Sequence, residues 1–343
     1  MTPPPADVAE VMLPARPQLL PGLSVLDRGP DEVQIGLDPR HAVVAGGLPP
    51  AVIAALHRLD GSTRIHTLLD LAESEQAEQL RELLTELAGR GLIKEAEPQK
   101  HDNHPEPGFW SLHTGRHPAE TASLRGLSTV VVHGDGRLGV AVATQLATAG
   151  VGHVETRALG RVTEHDLGSG YLEADIGLTR RKAAAEAVRR VNPATMTGRL
   201  HGSTRPGLVL LTDAVVPAPE VVNDLFHDGI PHLPARVRDG VGIVGPLVLP
   251  GRTSCLRCAD LHRTSLDSCW PRVAGQLAGR TQPADLGDIQ ACAALAVAQA
   301  LRVLTPGDRP PPVWNTTLEI DFYAAKVRRR PWPPHPRCRC GAR

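Results

Sequence analysis

Short apolar runs, glycine turns and small-residue helical stretches alternate between residues 128 and 193. The run Thr129–Val132 predicts a buried strand, and the turn Gly-Asp-Gly-Arg-Leu-Gly at residues 134–139 follows it directly. Helices are predicted over Val140–Ala149 and Arg181–Val191, with a second strand over His153–Thr156 between them. A strand that enters a Gly-x-Gly-x-x-Gly turn and leaves it as a helix is typical of a nucleotide-binding α/β unit. The pattern therefore predicts a Rossmann-like fold.

The three glycines of this turn, Gly134, Gly136 and Gly139, are candidate cofactor-binding residues. They let the backbone approach a phosphate, and the free N–H groups at the start of the next helix favour an anion. Such a site needs a carboxylate about 20 residues further on to hold the ribose hydroxyls. Glu155 is the only carboxylate between residues 155 and 160. Two interpretations stay open: a bound nucleotide, or a fold that has kept its architecture and lost its ligand.

The second half of the chain continues the α/β pattern. The apolar run Leu208–Leu211 ends in Thr212-Asp213, which places an acid at the carboxyl end of a predicted parallel strand. Sheets of this kind bind ligands at that edge, so Asp213 is a fourth candidate cofactor-binding residue. The remaining predicted elements are a helix over Pro219–His227, a hairpin over Val241–Leu249, a short helix ending near Leu261, a long helix over Asp285–Leu304 and a strand over Thr317–Phe322.

The first hundred residues carry a different pattern, in which short strands precede short helices. After a proline-rich lead-in, the predicted elements are strands at Leu23–Leu26, Val33–Leu37 and Ala42–Ala45, helices around Val52–Leu59 and His66–Leu71, and a wing strand at Leu92–Ile93. Before the wing, leucines at i, i+3, i+4 and i+7 predict a third, amphipathic helix that contains Leu80, Leu83, Leu84 and Leu87. This order predicts a small α+β domain of the winged-helix type.

Charge separates the possible uses of this domain. Its third helix carries Glu75, Glu78, Glu82 and Glu86, and residues 1–100 hold 9 Lys or Arg against 15 Asp or Glu. An acidic surface repels phosphates, so nucleic acid is not expected as a partner. The open edge of a small sheet can instead capture an extended peptide. A plain docking or dimerisation domain stays open as a second interpretation.

The strand Ala42–Ala45 is the candidate edge for such a peptide. The candidate peptide-binding residues are Ala42, Val43 and Val44 on this strand and Leu80 and Leu84 on the facing helix. The predicted domains are a peptide-binding domain over residues 1–100, a polar linker rich in proline and histidine over residues 101–125, and the α/β domain over residues 126–343.

Four of the six cysteines form a two-plus-two set, Cys255-x-x-Cys258 and Cys338-x-Cys340. Four thiolates suit tetrahedral zinc, and an all-cysteine site is structural because no coordination position is left for water. The second pair is tighter than the usual Cys-x-x-Cys spacing. His262 or His335 therefore stays open as a substitute for one of the sulfurs.

Composition predicts a cytoplasmic protein that is not bound to a membrane. No apolar run reaches the ~18 residues of a membrane span, and the first residues lack the basic and apolar regions of a secretory signal. Cysteines in that compartment serve as metal ligands or buried thiols rather than disulfides. Cys292, in the alanine-rich helix, is expected in the core. Cys269 has no base beside it and is expected to be an inert thiol rather than a nucleophile.

Together these motifs resemble the E1-like superfamily, the ThiF/MoeB adenylyltransferases. The resemblance spans residues 127–341 and rests on the glycine turn, Arg189-Arg190-Val191-Asn192-Pro193, Thr212-Asp213 and the two cysteine pairs. It implies a Rossmann-like E1 fold with a zinc knuckle, and it implies a homodimer. An active member of the superfamily uses Mg-ATP to adenylate the C-terminus of a carrier protein.

The chain departs from the residues with which the superfamily handles ATP. The resemblance implies an Asp-x-Asp after the second strand, then an Arg-Gln pair, then a lysine before the helix that ends in Asn-Pro. Ungapped alignment places Ala158 and Gly160 at the two acids, Ser169-Gly170 at the Arg-Gln pair, and Arg180 at the lysine, with Lys182 two residues later. Only Asp213 matches, as the metal-side acid. We therefore expect a catalytically degenerate site, with structural zinc as the cofactor and no use of ATP or Mg.

A peptide clamp ahead of a zinc-bearing E1-like body without an ATP site resembles the ocin-ThiF type of protein. Such proteins bind leader peptides and partner YcaO cyclodehydratases in the biosynthesis of ribosomal peptides. The resemblance implies that the third strand, His41–Ala45 here, pairs with the leader and that the E1-like body docks a separate modifying enzyme. The sequence thus predicts a non-catalytic scaffold. Two alternatives stay open: an active adenylyltransferase that uses Asp213, Lys182 and Arg180, and a nicotinamide-dependent oxidoreductase.

Overall fold

The chain divides into two compact units, Met1–Thr121 and Ala122–Arg343. The structure, a computed structural model, describes residues 12–96, 110–111, 113–114, 116–201, 204–307 and 309–343. Much of the predicted linker over residues 101–125, including His101 and His104, lies outside the described residues.

The first unit is built from short strands and helices. Its strands are β1, Pro17–Leu19; β2, Val25–Asp27; β3, Val33–Ile35; β4, Val43–Ala45; and β5, Ile93–Glu95; its helices are α1, Pro50–Leu56; α2, Ile65–Leu69; and α3, Ser74–Gly89. Strands β2, β3 and β4 form an antiparallel sheet in that order, and β1 pairs antiparallel with β5. The predicted α+β arrangement is confirmed. Strand β1 lies in the stretch expected to be a loose lead-in; it opens on Pro17, which an edge strand tolerates.

Helix α3 packs its leucine face against this small sheet. Leu80, Leu84 and Leu87 are fully buried in one cluster with Val33 and Val43. The i, i+4, i+7 spacing places the three leucines on one side of the helix, while the four glutamates of the opposite side are exposed. This division of apolar and acidic faces is the one predicted from the sequence.

The second unit is a seven-stranded sheet with helices around it. Its strands are β6, Thr129–His133; β7, His153–Arg157; β8, Leu208–Thr212; β9, His232–Arg238; β10, Val241–Val244; β11, Thr316–Asp321; and β12, Lys326–Pro331. Its helices are α4, Pro118–Leu127, which begins in the first unit; α5, Arg137–Thr148; α6, Arg180–Val191; α7, Pro219–His227; α8, Leu256–Leu266; α9, Trp270–Leu277; and α10, Leu286–Leu304.

The strand order is β12-β11-β10-β9-β8-β6-β7, in which β7, β6, β8 and β9 run parallel and the other pairings are antiparallel. From β6 the chain adds β7 on one side and then β8 on the other, so the order of the strands reverses between β6 and β8. Doubly wound sheets form their ligand crevice at such a switch point. The glycine turn follows β6 and Asp213 follows β8, so the topology brings both to this point.

Helix α9, like β1, has no counterpart in the sequence-based expectations, and three further elements differ from them. The hairpin is formed by β9 and β10, and it turns at Asp239-Gly240, where both residues have positive φ, 52° and 75°. This is a type I′ turn, for which Asp-Gly is the usual sequence signal. Strand β12 carries Arg328–Arg330 at the sheet edge and lacks the alternation of a half-buried strand. Helix α4 replaces the end of the expected linker, with Pro118 at its start.

Helix α10 is, among the described residues, the one helix long and apolar enough to span a membrane. It packs against α5 and against strands β9 and β10. Ile289, Cys292, Ala296 and Leu301 are buried there, and Cys292 is confirmed as a core residue. A place in the core accounts for the apolar composition of this helix.

Candidate functional site

The glycine turn joins β6 to α5 and encloses the carboxylate of Asp213. Asp213 Oδ1 accepts a hydrogen bond from the N–H of Leu138 at 3.1 Å, and Oδ2 accepts from the N–H of Gly139 at 3.2 Å. The Thr212 hydroxyl donates to Oδ2 at 2.9 Å. The first N–H groups of a helix have no partner within it and are the donors that would take a phosphate. In this chain a side chain of the protein occupies that anion position.

The glycines are needed for this close approach. A Cβ atom at Gly134 would overlap Thr212, and one at Gly136 would overlap Asp213, while a Cβ at Gly139 would lie 3.1 Å from Thr212 Oγ1. Burial raises the pKa of Asp213, against the hydrogen bonds from Thr212 and the turn N–H groups. The structure thus brings together all four predicted cofactor-binding residues, but the acid itself fills the turn.

The position expected for a ribose is a cleft of about 650 Å³ at the carboxyl ends of β6 and β7. Ala158 lines it without offering a hydrogen-bonding side chain. Glu155 Oε1 lies 2.9 Å from Arg157 Nε, and Oε2 accepts from the N–H of Leu200 at 3.2 Å. Burial alone would raise the pKa of Glu155, but these hydrogen bonds outweigh it and lower the pKa. Asp135 accepts a hydrogen bond from the N–H of Leu159. Both acids of the cleft therefore already hold partners within the protein.

Arg180 and Lys182, the two cations considered for catalysis, have different surroundings. Arg180 Nη2 lies 2.9 and 3.1 Å from the two carboxylate oxygens of Asp166, and its Nη1 donates to the Leu159 carbonyl at 3.3 Å. The Lys182 side chain is 64% exposed, with its ammonium 3.9 Å from Glu186. Arg180 is therefore held by a buried acid and Lys182 extends into solvent. The sequence did not indicate that Asp166 pairs with Arg180, because the residues between them have no regular period that would place the two side chains together.

Two of the positions that the ungapped alignment matches to catalytic residues, Gly160 and Gly170, have backbone constraints of their own. Gly160 has φ 77° and Gly170 has φ 138°, conformations that residues with a Cβ rarely adopt. A Cβ at Gly160 would lie 3.1 Å from Arg180 Nη1, and one at Gly170 would lie 2.9 Å from Val140 Cγ2. Any side chain at either position would therefore require a local shift.

The four predicted metal ligands lie together. The Sγ–Sγ distances are 3.8 Å for Cys255–Cys258, 3.6 Å for Cys255–Cys338 and 3.5 Å for Cys258–Cys340, and all four sulfurs lie within 4.8 Å of one another. Four sulfurs at about 2.3 Å from a tetrahedral zinc stand about 3.8 Å apart, so the cluster fits a structural zinc ion. Burial raises the pKa of Cys255, so metal binding would have to displace its proton.

Neither histidine considered as a substitute ligand is needed. His262 Nε2 lies 3.0 Å from the Pro333 carbonyl oxygen, and His335 Nδ1 accepts from the N–H of Arg337 at 3.1 Å. Cysteine 255 caps α8 and Cys338 follows β12, so a bound zinc would fasten the C-terminal segment to that helix. Cys269 is exposed at the start of α9, and its inertness stays a prediction.

Strand β4 is an edge strand, with β3 on one side and no other described strand on its second side. The N–H of Arg28 donates to the Glu32 carbonyl at 2.9 Å. Since hydrogen-bonded pairs alternate along an antiparallel ladder, Gln34 faces β2 and its neighbours face β4. Val44, which lies opposite Gln34, therefore directs its N–H and C=O away from β3.

Exposure distinguishes the five predicted peptide-binding residues. Val44 is 48% exposed and Val43 only 6%. The N–H of Ala42 is already donated to the Asp38 carbonyl at 2.7 Å. Leu80 and Leu84 are 0% exposed, so they form the floor beneath the strand and have no surface for direct contact with a peptide. Val44 is the residue of this set that offers an open backbone edge.

Comparison with known proteins gives a family and a fold. The model of the ThiF family matches residues 118–342. The structure of E. coli MccB with ATP superposes with a TM-score of 0.73 at 16% identity, covering 94% of this chain and 99% of that chain. The structure of Microcin C7 biosynthetic enzyme MccB in complex with N-formylated MccA superposes with a TM-score of 0.72 at 15% identity, covering 95% of this chain and 99% of that chain. The structure of PaaA superposes with a TM-score of 0.67 at 18% identity, covering 91% of this chain and 98% of that chain. Among curated protein sequences, none matches this chain. At these identities the likeness shows a shared fold.

Proposed function

This chain belongs to the ThiF family, and from that membership we propose that it is a non-catalytic E1-like scaffold. It binds the leader region of a precursor peptide and presents it to a separate modifying enzyme, such as a YcaO cyclodehydratase, in ribosomal peptide biosynthesis. The observation that carries the proposal is the Asp213 carboxylate, which accepts hydrogen bonds from Leu138 and Gly139 where a phosphate would bind.

Adenylation needs groups that are free to hold ATP and to neutralise charge in the transition state. Here the acid of the glycine turn, the acid of the ribose cleft and the cation at the lysine position each have a partner in the protein: Asp213 in the turn, Glu155 with Arg157, and Arg180 with Asp166. Binding ATP would require breaking these contacts first. The fold is therefore best suited to a role in binding, and the chemistry is left to another enzyme.

The peptide-binding part of the proposal rests on strand β4. A peptide that adds to a sheet edge gains main-chain hydrogen bonds, which give affinity with little dependence on sequence. The outward N–H and C=O of Val44 offer such a pair, and the buried Leu80 and Leu84 hold the strand from beneath. The MccB structure in complex with N-formylated MccA supports peptide binding on this fold. A homodimer, implied by the family, is part of the same proposal.

Removing the outward N–H of β4 tests the peptide-binding part. Val44→Pro deletes this donor but no bond of the β3–β4 ladder, and edge strands accept proline. We expect Val44→Pro to weaken binding of a fluorescein-labelled synthetic leader peptide, chosen by screening the short open reading frames near this gene, by about tenfold or more. Val44→Thr keeps the N–H and is expected to bind within about threefold of wild type. Equal binding by both variants in fluorescence polarisation would refute strand addition at this edge.

Nucleotide measurements test the non-catalytic part. We expect calorimetry with Mg-ATP to show no binding, and ATP–pyrophosphate exchange to stay at background with or without the leader peptide. Exchange that depends on the peptide and is lost in Asp213→Asn would establish the alternative, an active adenylyltransferase that uses Asp213, Lys182 and Arg180.

A further inference from the structure

A cavity of about 510 Å³ in the second unit is lined by no residue of the glycine turn or of the cysteine cluster. Its walls come from the segment after β8, from β9 and from helices α7, α8 and α9. The apolar wall residues include Val215, Val222, Leu256, Leu261, Trp270 and Pro271. Cavities of this size hold small organic ligands, with apolar walls and a few polar groups that fix orientation.

One polar group in this wall is a buried arginine. Arg236 on β9 is 6% exposed, and its Nε has no hydrogen-bond partner among the described residues. No ion pair between described residues includes its guanidinium. A buried charge without a counter-charge destabilises the folded protein. Burial, together with the nearby Arg263 and Arg238, lowers the pKa of Arg236 to about 10, so the side chain stays charged at neutral pH.

The other charged groups of the wall form no ion pair with Arg236, although the charge of Asp260 acts in its favour. Asp260 is the one acid that lines the cavity among the described residues, and it already has two partners. Its Oδ1 lies 2.9 Å from Arg263 Nη1 and accepts from Trp270 Nε1 at 3.0 Å. Arg238 and the exposed Arg257 add further positive charge to the lining. The cavity therefore presents a net positive end within apolar walls.

We propose that this cavity binds a carboxylate carried on an apolar body. The planar guanidinium of Arg236 matches a carboxylate with two parallel hydrogen bonds. Trp270, Leu261 and Val222 pack against the apolar part of the ligand. Two sources carry this chemistry: a free organic acid, and the C-terminal carboxylate of a peptide that ends in an apolar residue. The inference does not rest on the function proposed for β4.

Calorimetry on the full chain tests this site with matched probes. We expect 2-naphthoate to bind at least tenfold more tightly than the neutral 2-naphthalenemethanol. Arg236→Met is expected to abolish that difference, because it keeps the apolar volume and removes the charge. Arg329→Met, on the exposed face of β12, is the control and should bind naphthoate as the wild type does. Equal affinity for the acid and the alcohol, or unchanged naphthoate binding in Arg236→Met, would overturn the proposal.

Thermal unfolding separates ligand binding from a merely structural role of Arg236. Without ligand, Arg236→Met should unfold at a higher temperature than wild type, because the unpaired charge is gone. Naphthoate should raise the Tm of wild type but not of the variant. A lower Tm in Arg236→Met would assign the arginine a structural role and contradict the proposal. If the variant does not fold, the comparison of acid and alcohol on wild type still decides.

The two ligand sources are distinguished with short peptides. Acetyl-Ala-Leu with a free C-terminus is compared with its C-terminal amide on the wild-type protein. Tighter binding of the free acid than of the amide, by about tenfold, assigns the cavity to a peptide terminus. Naphthoate binding together with equal affinity for the two peptides assigns it to a free organic acid. Failure of both naphthoate and the free peptide to bind refutes the site.

Discussion

The two clefts of the second unit treat charge in opposite ways. Around the glycine turn, three of the charged groups, Asp213, Glu155 and Arg180, have partners within the protein. In the cavity beside β9, Arg236 is buried without one. A charged group that already has a partner in the protein must lose that partner before it can bind a ligand. A buried charge without a partner can gain one from a ligand. Under the function proposed above, the cleft beside the glycine turn no longer holds a nucleotide, whereas the cavity beside β9 has a buried cation that a ligand would pair.

Removal of the metal is expected to cause the largest loss of thermal stability. It should disturb the cavity beside β9 more than the cleft beside the glycine turn. Helix α8 begins directly after Cys255 and contains Cys258, and it also supplies Leu256 and Leu261 to the cavity wall. We expect one zinc per chain by plasma mass spectrometry, and a fall in Tm of about 10 °C or more after chelation or in Cys258→Ser. Naphthoate binding should be lost with the metal.

The exposed Cys269 provides the matched control for this prediction. Cys269→Ser should keep both the zinc content and the Tm of wild type. A chain that contains no zinc, or a Cys258→Ser variant that keeps its metal and Tm, would contradict a structural role for the cluster.

Removing the Asp213 carboxylate from the glycine turn is expected to have the second-largest effect on stability. Asp213→Ala leaves the N–H groups of Leu138 and Gly139 without this acceptor, and it leaves the Thr212 hydroxyl with only the His133 carbonyl, at 3.4 Å. We expect a loss of about 2–4 kcal/mol in the free energy of unfolding, measured with urea. The emptied turn should then accept an anion, so added sulfate should raise the Tm of Asp213→Ala more than that of wild type.

Asp135→Ala is the control for sulfate rescue, because it loses a single hydrogen bond, from the N–H of Leu159. It should cost about 1 kcal/mol and gain no sulfate dependence. Equal stabilisation of wild type and Asp213→Ala by sulfate would show that the carboxylate does not occupy the anion position.

The elements that the sequence predicted are those set by local pattern. The strand β6, the glycine turn and helix α5 follow one another within residues 129–148, and the leucine face of α3 follows from a spacing of 3.6. The cysteine cluster was predicted across more than seventy residues only because thiol pairs have a narrow chemistry.

What the sequence could not predict depends on contacts between distant segments. The place of Asp213 in the turn joins residues 75 positions apart. Arg236 lies in a strand that reads as His-Leu-Pro-Ala-Arg-Val-Arg, and an arginine in a strand is usually exposed. Its surroundings come from helices α7, α8 and α9, which line the same cavity as Arg236. The Asp239-Gly240 turn is a local signal for the β9–β10 hairpin, but the prediction missed it and placed the hairpin further on, over Val241–Leu249.

The smallest expected effect is on the pH dependence of stability, in which the paired Asp175 should differ from the unpaired Arg236. Asp175 is 2% exposed; its Oδ2 accepts from the N–H of Leu172 and from Arg190 Nη2, both at 2.8 Å. Burial raises the pKa of Asp175, but these hydrogen bonds outweigh it and lower the pKa. The stabilisation is therefore complete above the unfolded pKa of about 3.9 and is lost as the pH falls through the lower folded value.

Asp175→Asn should cost about 1–2 kcal/mol at pH 7, a modest value because the partner Arg190 is 36% exposed. The cost should shrink between pH 5 and pH 3 in urea unfolding, as wild type loses the same charge. Arg236→Met should instead keep its gain in stability over this interval, because no carboxylate pairs with Arg236. A pH-independent cost at Asp175, or a gain at Arg236 that disappears with acid, would mean that charge is balanced alike in both regions.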